Sequence, residues 1–245
     1  VIIDVQSAVK ELLENALDAG TRRLELRFKE SGVDLLEVAD NGAGIASPNL
    51  DAIALRHHTS KLVQFDDLQK LRSFGFRGEA LNSLARLSSL SLTTRTAADA
   101  IGTALTFHPD GTVASRKPIP RDVGTCVSVG QLFTPFPVRR RELARNASVE
   151  FRKVLISLQA YALICHEVRF LCVNTPAKGG KQVVLQTEGG TCGMRGAIAS
   201  VFGAKQLQEL MPFSAAADVS GERRTLLRLE GVGRGGEMVG RNVGE

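Results

Sequence analysis

Residues 10 to 20, Lys-Glu-Leu-Leu-Glu-Asn-Ala-Leu-Asp-Ala-Gly, read as a helix whose apolar and polar residues part onto opposite faces. Val9, Leu12, Leu13, Ala16 and Leu17 follow the i, i+3, i+4, i+7, i+8 spacing of one face, and Glu11, Asn15 and Asp18 line the other. Long side chains of mixed sign would be expected on a merely solvated face in a chain this basic. A carboxylate one turn before an amide, with a second carboxylate nearby, instead suits a cation or a water awaiting activation, so the polar face reads as the wall of a site. Gly20 ends the helix as its C′ residue.

The chain has 245 residues, enough for one large domain or two small ones with a proper core. Its 43% hydrophobic content with mixed charges is that of a globular protein, not a disordered one. No run approaches the roughly 18 apolar residues of a membrane span and no signal peptide opens the sequence, so an intracellular protein without a membrane partner is expected. Cys126, Cys165, Cys172 and Cys192 lack CxxC spacing and a matching histidine cluster, which favours reduced cysteines over zinc or disulfides. The net charge of +5 is compatible with a polyanionic partner and decides nothing alone. The opening at Val1 without an initiator Met, and the Gly-rich trail to Glu245, read as a piece of a longer chain.

Beyond Gly20, Leu24, Leu26 and Phe28 alternate with charged residues as a strand, Glu30-Ser31-Gly32 turns the chain, and Val33 to Ala39 returns as a second strand. Residues 50 to 58 are expected to be helical. From Thr59 to Gly78 a long loop is expected, broken by a short helix around Phe65 to Leu71; loops of that length in compact domains are usually functional. Glu79 to Leu87 resumes a helix. Strands are expected at Leu90 to Arg95, Ala104 to His108, Thr112 to Arg116 and Thr125 to Leu132, a long helix at Ala147 to His166, and strands at Val168 to Val173 and Val183 to Gln186. From about residue 190 the texture changes, with a helix at Ala197 to Leu210 and scattered strands.

Four segments are candidates for one site. On the helix face, Glu11 suits a general base and Asn15 a neutral oxygen donor to magnesium, against the plainer account of a few exposed polar residues. In Asp40-Asn-Gly-Ala-Gly, an Asp at a strand end can accept a hydrogen bond from an exocyclic amine while glycines let a flat base approach; the plainer account is an Asx turn. Gly75-Phe-Arg-Gly-Glu-Ala-Leu81 is a glycine pair opening a helix, whose exposed N–H groups attract phosphate oxygens. No GxxxxGK[ST] P-loop occurs. His57-His-Thr-Ser-Lys61 places hydroxyl and ammonium donors for phosphate at Thr59, Ser60 and Lys61, or is simply a solvated helix end.

In this order, KELLENALDAG, DNGAGI, HHTSK, GFRGEAL and the Gly124-Thr125 strand resemble the ATPase superfamily of gyrase, Hsp-type chaperones, sensor histidine kinases and MutL. HHTSK and GFRGEAL are similar to the MutL mismatch-repair branch in particular. Val201 to Phe213 and Pro137-Val-Arg-Arg-Arg-Glu142 further resemble its eukaryotic PMS-type members. The resemblance implies a magnesium-dependent, slow ATPase acting as a conformational switch or clamp on DNA. It implies that Glu11 polarises the attacking water, Asn15 holds Mg2+, and Asp40 reads the adenine amine with Gly44 beneath the base and Thr125 nearby. Thr59, Ser60 and Lys61, with Gly75, Phe76, Arg77, Gly78, Glu79, Ala80 and Leu81, would wrap the phosphates. It also implies a nucleus-located protein, an MLH-type partner subunit, MutS-type mismatch-recognition partners and non-specific contact with double-stranded DNA. The family's N-terminal exchanging arm, its γ-phosphate lysine and its endonuclease region find no match in the sequence, so ATP binding is expected to survive better than turnover.

Arg139, Arg140, Arg141 and Arg145 form the densest positive cluster and are the candidates for backbone contact with DNA, against a solvated helix start. A reading of a different class is a non-hydrolysing DNA- or protein-binding module of the same fold; Glu11 speaks against it, since binding alone needs no base. The expected fold is an α/β (α+β) two-layer sandwich, its mixed, mainly antiparallel sheet covered by helices on one face. Residues 1–189 would form the ATP-binding domain and 190–245 part of a second α/β domain of the transducer, ribosomal-protein-like type.

Overall fold

The computed structural model describes residues 2–56, 78–190, 193–208, 210–217 and 227–234, and from residue 211 onward the backbone only. Helix α1 (Val5–Asp18) starts at Asp4, whose carboxylate accepts the Ser7 N–H at 2.7 Å while the Ser7 hydroxyl accepts the Asp4 N–H at 3.0 Å. This reciprocal cap satisfies donors that a helix start leaves open. Strands β1 (Arg23–Lys29) and β2 (Leu35–Asp40) follow as a hairpin pairing Leu24 with Asp40 and Lys29 with Leu35. The hairpin closes over a short 3-10 turn in which Glu30 and Ser31 hold positive φ.

After α2 (Ala80–Leu87) come β3 (Ser89–Arg95), β4 (Gly102–Phe107), β5 (Val113–Ile119) and β6 (Gly124–Gly130). Helices α3 (Pro137–Arg145) and α4 (Ala147–Ile164) lead to β7 (Arg169–Thr175) and β8 (Gln182–Gln186). The eight strands make one sheet in the order β5-β4-β3-β6-β2-β1-β7-β8. Among the described strands every pairing is antiparallel except β1 with β7. Helices α5 (Gly193–Phe202) and α6 (Ala204–Gln208) precede a separate two-stranded sheet of β9 (Leu210–Ala217) and β10 (Leu227–Arg234).

Strand alternation sorts the side chains. Leu24, Leu26 and Phe28, Leu36 and Val38, Leu90 and Leu92, and Val129 point to one face and are buried there. All but Leu92 join Val5, Ala8, Val9, Leu12, Leu13 and Ala16 of α1 and Phe151, Val154, Leu158 and Ala162 of α4 in one core, while Leu92 packs with Leu50 and Leu105 in a smaller one. Phe28 and Phe151 meet edge to face with centroids 5.0 Å apart. The opposite face carries polar pairs such as Arg27 with Glu37 at 2.6 Å and Ser128 with Glu37 at 3.0 Å. The mixed, mainly antiparallel sheet with helices on one face is thus the α/β fold that the sequence predicts.

Three elements differ from expectation. Residues 50–56 form turns instead of α-helix: Ala52 N–H bonds to the Asn49 carbonyl and Leu55 N–H to the Ala52 carbonyl, a three-residue spacing. The Ala54 carbonyl is instead taken by the Asn82 amide at 2.8 Å. Helix α3 appears in the sequence reading only as the solvated helix start weighed against DNA contact, because Leu143 is its one buried residue and no apolar stripe marks its length. The helix expected over 197–210 begins earlier, at Gly193, breaks at Gly203 (φ +90°) and gives way to strand at Leu210. The expected helix at Phe65 to Leu71 lies outside the described residues.

Candidate functional site

The apolar inner face of the sheet ends in a row of polar side chains. Thr94 on β3 and Thr125 on β6 lie opposite one another in register, and Asp40 closes β2 beside them. Asp40 Oδ1 accepts the Gly42 N–H at 2.8 Å and the Thr125 N–H at 3.2 Å. Thr94 Oγ1 accepts the Ile45 N–H at 2.9 Å and lies 3.1 Å from Thr125 Oγ1 and 3.2 Å from the Gly124 carbonyl. Both threonines are buried, with 2% and 7% exposure, so the row is a built feature of the core's edge. Burial pushes the Asp40 carboxyl above the usual aspartate range, and the two backbone N–H groups with the Arg121 charge pull it part of the way back.

The loop after Asp40 is pinned on both sides. Asn41 Oδ1 accepts the N–H groups of Arg22 and Arg23 and the Thr21 hydroxyl at 2.8–2.9 Å, tying the loop to the end of α1. Gly44 has φ +74°, and a Cβ there would lie 2.1 Å from the Arg95 carbonyl. The glycine is therefore demanded by contact with β3, a reason separate from the approach of a planar ligand.

Helix α1 packs on α4 and on β2, with its polar face turned partly outward: Glu11, Glu14, Asn15 and Asp18 are all half-buried. Glu11 and Asn15 stand one turn apart, as the sequence predicts. Tyr161 of α4 donates its hydroxyl to Glu14, which Lys10 approaches at 3.8 Å. Burial, followed by this bond, raises the Tyr161 hydroxyl above its ordinary range, so it stays a donor.

Helix α2 starts at Ala80, with Glu79 as its cap residue and Gly78 at φ +60°. Leu81 packs against the core. Asn82, 3% exposed, donates to the carbonyls of Ala54 (2.8 Å) and Asp110 (3.1 Å), holding α2 against the 50–56 turns and the β4–β5 turn. Thr59, Ser60, Lys61, Gly75, Phe76 and Arg77 lie outside the described residues. Among the described residues no group of three or more His, Cys, Asp or Glu is arranged to hold a metal ion.

The arginine cluster divides. Arg139 stacks 4.0 Å over the Phe133 ring and donates to the Ile3 carbonyl at 2.7 Å, while Arg140 donates to Thr134 at 2.7 Å. Arg141 and Arg145 are exposed on α3. Thr94, Asn41, Asn82 and Tyr161 all went unpredicted. Periodicity finds apolar stripes, and these four act through polar contacts with partners in other elements.

Residues 3–117 match the family model of the histidine kinase-, DNA gyrase B- and HSP90-like ATPases. The mismatch repair endonuclease PMS2 of Mus musculus is 46% identical over 213 residues, which cover 87% of this chain and 25% of that protein. The chain thus spans about a quarter of the length of the curated relatives it matches. The crystal structure of the N-terminal domain of a DNA repair protein superposes with a TM-score of 0.80 at 35% identity, covering 95% of this chain and 68% of that one. The Aquifex aeolicus MutL ATPase domain complexed with ADP superposes with a TM-score of 0.65 at 26% identity, covering 88% and 73%. By these matches the chain belongs to the MutL family of DNA mismatch repair proteins, in its PMS-type branch.

Proposed function

We propose that this chain binds ATP and hydrolyses it slowly, as the nucleotide-driven switch of a mismatch repair protein that clamps DNA. The observation that carries the reading is the polar row of Thr94, Thr125 and Asp40, set at the end of the apolar sheet face that α1 covers. An adenine ring fits the apolar side of such an edge and its amino group the carboxylate of Asp40. From α1, Glu11 accepts a proton from the water that attacks the terminal phosphate, and binding and turnover become separable. The N–H groups at the start of α2, from Gly78 to Leu81, offer donors to phosphate oxygens. Thr59, Ser60, Lys61, Gly75, Phe76 and Arg77 join this role on their residue types alone.

The donor set fits a magnesium ion that arrives with the nucleotide. Such an ion takes one or two protein oxygens and fills its other positions with phosphates and water, and the Asn15 amide oxygen, one turn from Glu11, supplies one. When bound it neutralises phosphate charge. We assign residues 1–189 to the ATP-binding domain and 190–245 to part of a transducer-type domain. Exposed Arg141 and Arg145, with Arg139 and Arg140 behind them, form the surface for the phosphate backbone of double-stranded DNA. An MLH-type subunit and MutS-type proteins are the partners of the full-length protein, and the nucleus its place of work.

ATP affinity and turnover of Glu11→Ala test the reading. Retained binding with abolished hydrolysis is expected; equal turnover in both proteins would overturn it in favour of a module that only binds.

A further inference from the structure

We infer that Thr94 is a positioning residue that sets the hydrogen-bond polarity of the candidate site, making it select a 6-amino purine over a 6-oxo purine. The inference rests on the reading of Asp40 and Thr125 as the purine-facing pair and adds the residue behind them. A threonine hydroxyl has one proton and two lone pairs. Thr94 Oγ1 has three partners: the Ile45 N–H, which can only donate; the Gly124 carbonyl, which can only accept; and Thr125 Oγ1, which can do either. One arrangement satisfies all three contacts. Thr94 gives its proton to Gly124 and accepts from Ile45, which leaves its second lone pair for the Thr125 hydroxyl proton.

The Thr125 proton is thereby spent inward. Its oxygen presents only lone pairs to a ligand, and Asp40 is an acceptor as a carboxylate. Among the described residues, the hydrogen bonds to Asp40 come from Gly42 and Thr125 and fall on Oδ1, leaving Oδ2 for the ligand. At the 6-position, acceptors match an exocyclic amine and meet a carbonyl with lone pair against lone pair; the N1–H beside that carbonyl is the one donor a 6-oxo purine offers them in return. Sites built around one polarity discriminate strongly, because the wrong ligand leaves desolvated groups unpaired. The arrangement is not incidental packing: Thr94 and Thr125 are cross-strand neighbours at the end of a face whose other members are apolar.

Affinities for ATP and inosine triphosphate, measured on the whole 245-residue chain by competition with a fluorescent nucleotide, test this. The two nucleotides differ at the purine 6-position, amine against carbonyl, and in the N1 proton that accompanies the carbonyl. Wild type should prefer ATP by at least about tenfold, since one lost and unreplaced hydrogen bond is worth roughly that much. Thr94→Val keeps the shape but frees the Thr125 proton to face the ligand, so the preference should fall to what Asp40 alone supplies, and Thr94→Ser should restore it. A Thr94→Val protein that melts like wild type and keeps the full preference overturns the inference. So does wild type binding both nucleotides equally, a result independent of how the variant folds. Wild type that binds neither nucleotide overturns the ATP reading itself, and the inference falls with it.

Discussion

Tyr161 on α4 donates its hydroxyl to Glu14 on α1, joining residues 147 positions apart at the edge of the proposed catalytic helix face. Glu14 lies one turn along from Glu11 and next to Asn15, so this bond helps to fix the rotation at which α1 presents both. Tyr161→Phe should cost about 1–2 kcal/mol, since bonds to charged groups are worth somewhat more than neutral ones and Lys10 still attends Glu14. Urea unfolding measures the loss.

Asp40 carries a pH signature. Its folded pKa is raised by burial, so the folded state binds this proton more tightly than the unfolded chain does. The stability this group contributes is present in full below the unfolded value, near 3.8, and is lost as pH rises through the higher folded value. Asp40→Asn keeps an oxygen for Gly42 and Thr125 and sheds the buried charge. It should melt higher than wild type at neutral pH, with the difference shrinking on acidification, while nucleotide binding is lost. A melting-temperature series against pH, with a binding isotherm at pH 7, checks both.

Gly20 and Gly44 share φ +74° but not their surroundings. A Cβ at Gly20 meets nothing within 4 Å, so Gly20→Ala should cost about 1–2 kcal/mol of backbone strain. At Gly44 the same strain adds to a Cβ 2.1 Å from the Arg95 carbonyl, so Gly44→Ala should cost several kcal/mol more or prevent folding. Thermal melts of the pair separate conformational strain from collision.

Asn82→Ala leaves the carbonyls of Ala54, in a buried place, and of Asp110, in a partly buried one, without their amide donor. A loss of roughly 2–3 kcal/mol is expected. Hydrogen exchange should show faster opening of both turns, and uniform protection across them would count against a joint role.

For DNA, Arg141→Ala and Arg145→Ala should each flatten the salt dependence of binding by about one unit of slope. Arg139→Ala should instead lower stability by about 1 kcal/mol, because it stacks on Phe133 and holds the Ile3 carbonyl. Binding measured from low to high salt, beside melting curves, distinguishes the two groups.

Local pattern carried most of the architecture. The stripe on α1 and the alternation in β1 name their buried faces residue by residue: Val9, Leu12, Leu13 and Ala16, and Leu24, Leu26 and Phe28, are buried as their spacing requires. What pattern could not show was pairing. Nothing in Arg23–Lys29 announces that its second neighbour is Arg169–Thr175, because parallel partners share no turn to mark them. The candidate site divides in the same way. Asp40 and Glu11 stand out by residue type and motif, whereas Thr94 looks like any strand threonine until Ile45 and Thr125 arrive beside it.

The parallel pairing of β1 with β7 also orders events in time. A ribosome delivers α1, β1 and β2 early, yet the partners that cover them, α4 and β7, emerge more than a hundred residues later. Until then the Leu24, Leu26 and Phe28 face has α1 but not α4 as cover, and β1 has one bare edge. Contacts of such long sequence separation slow folding and leave hydrophobic surface and strand edges open to other chains meanwhile. A truncation ending before β7 would therefore produce aggregation-prone chains rather than a smaller working domain, and the newborn protein should lean on chaperones for as long as that edge waits.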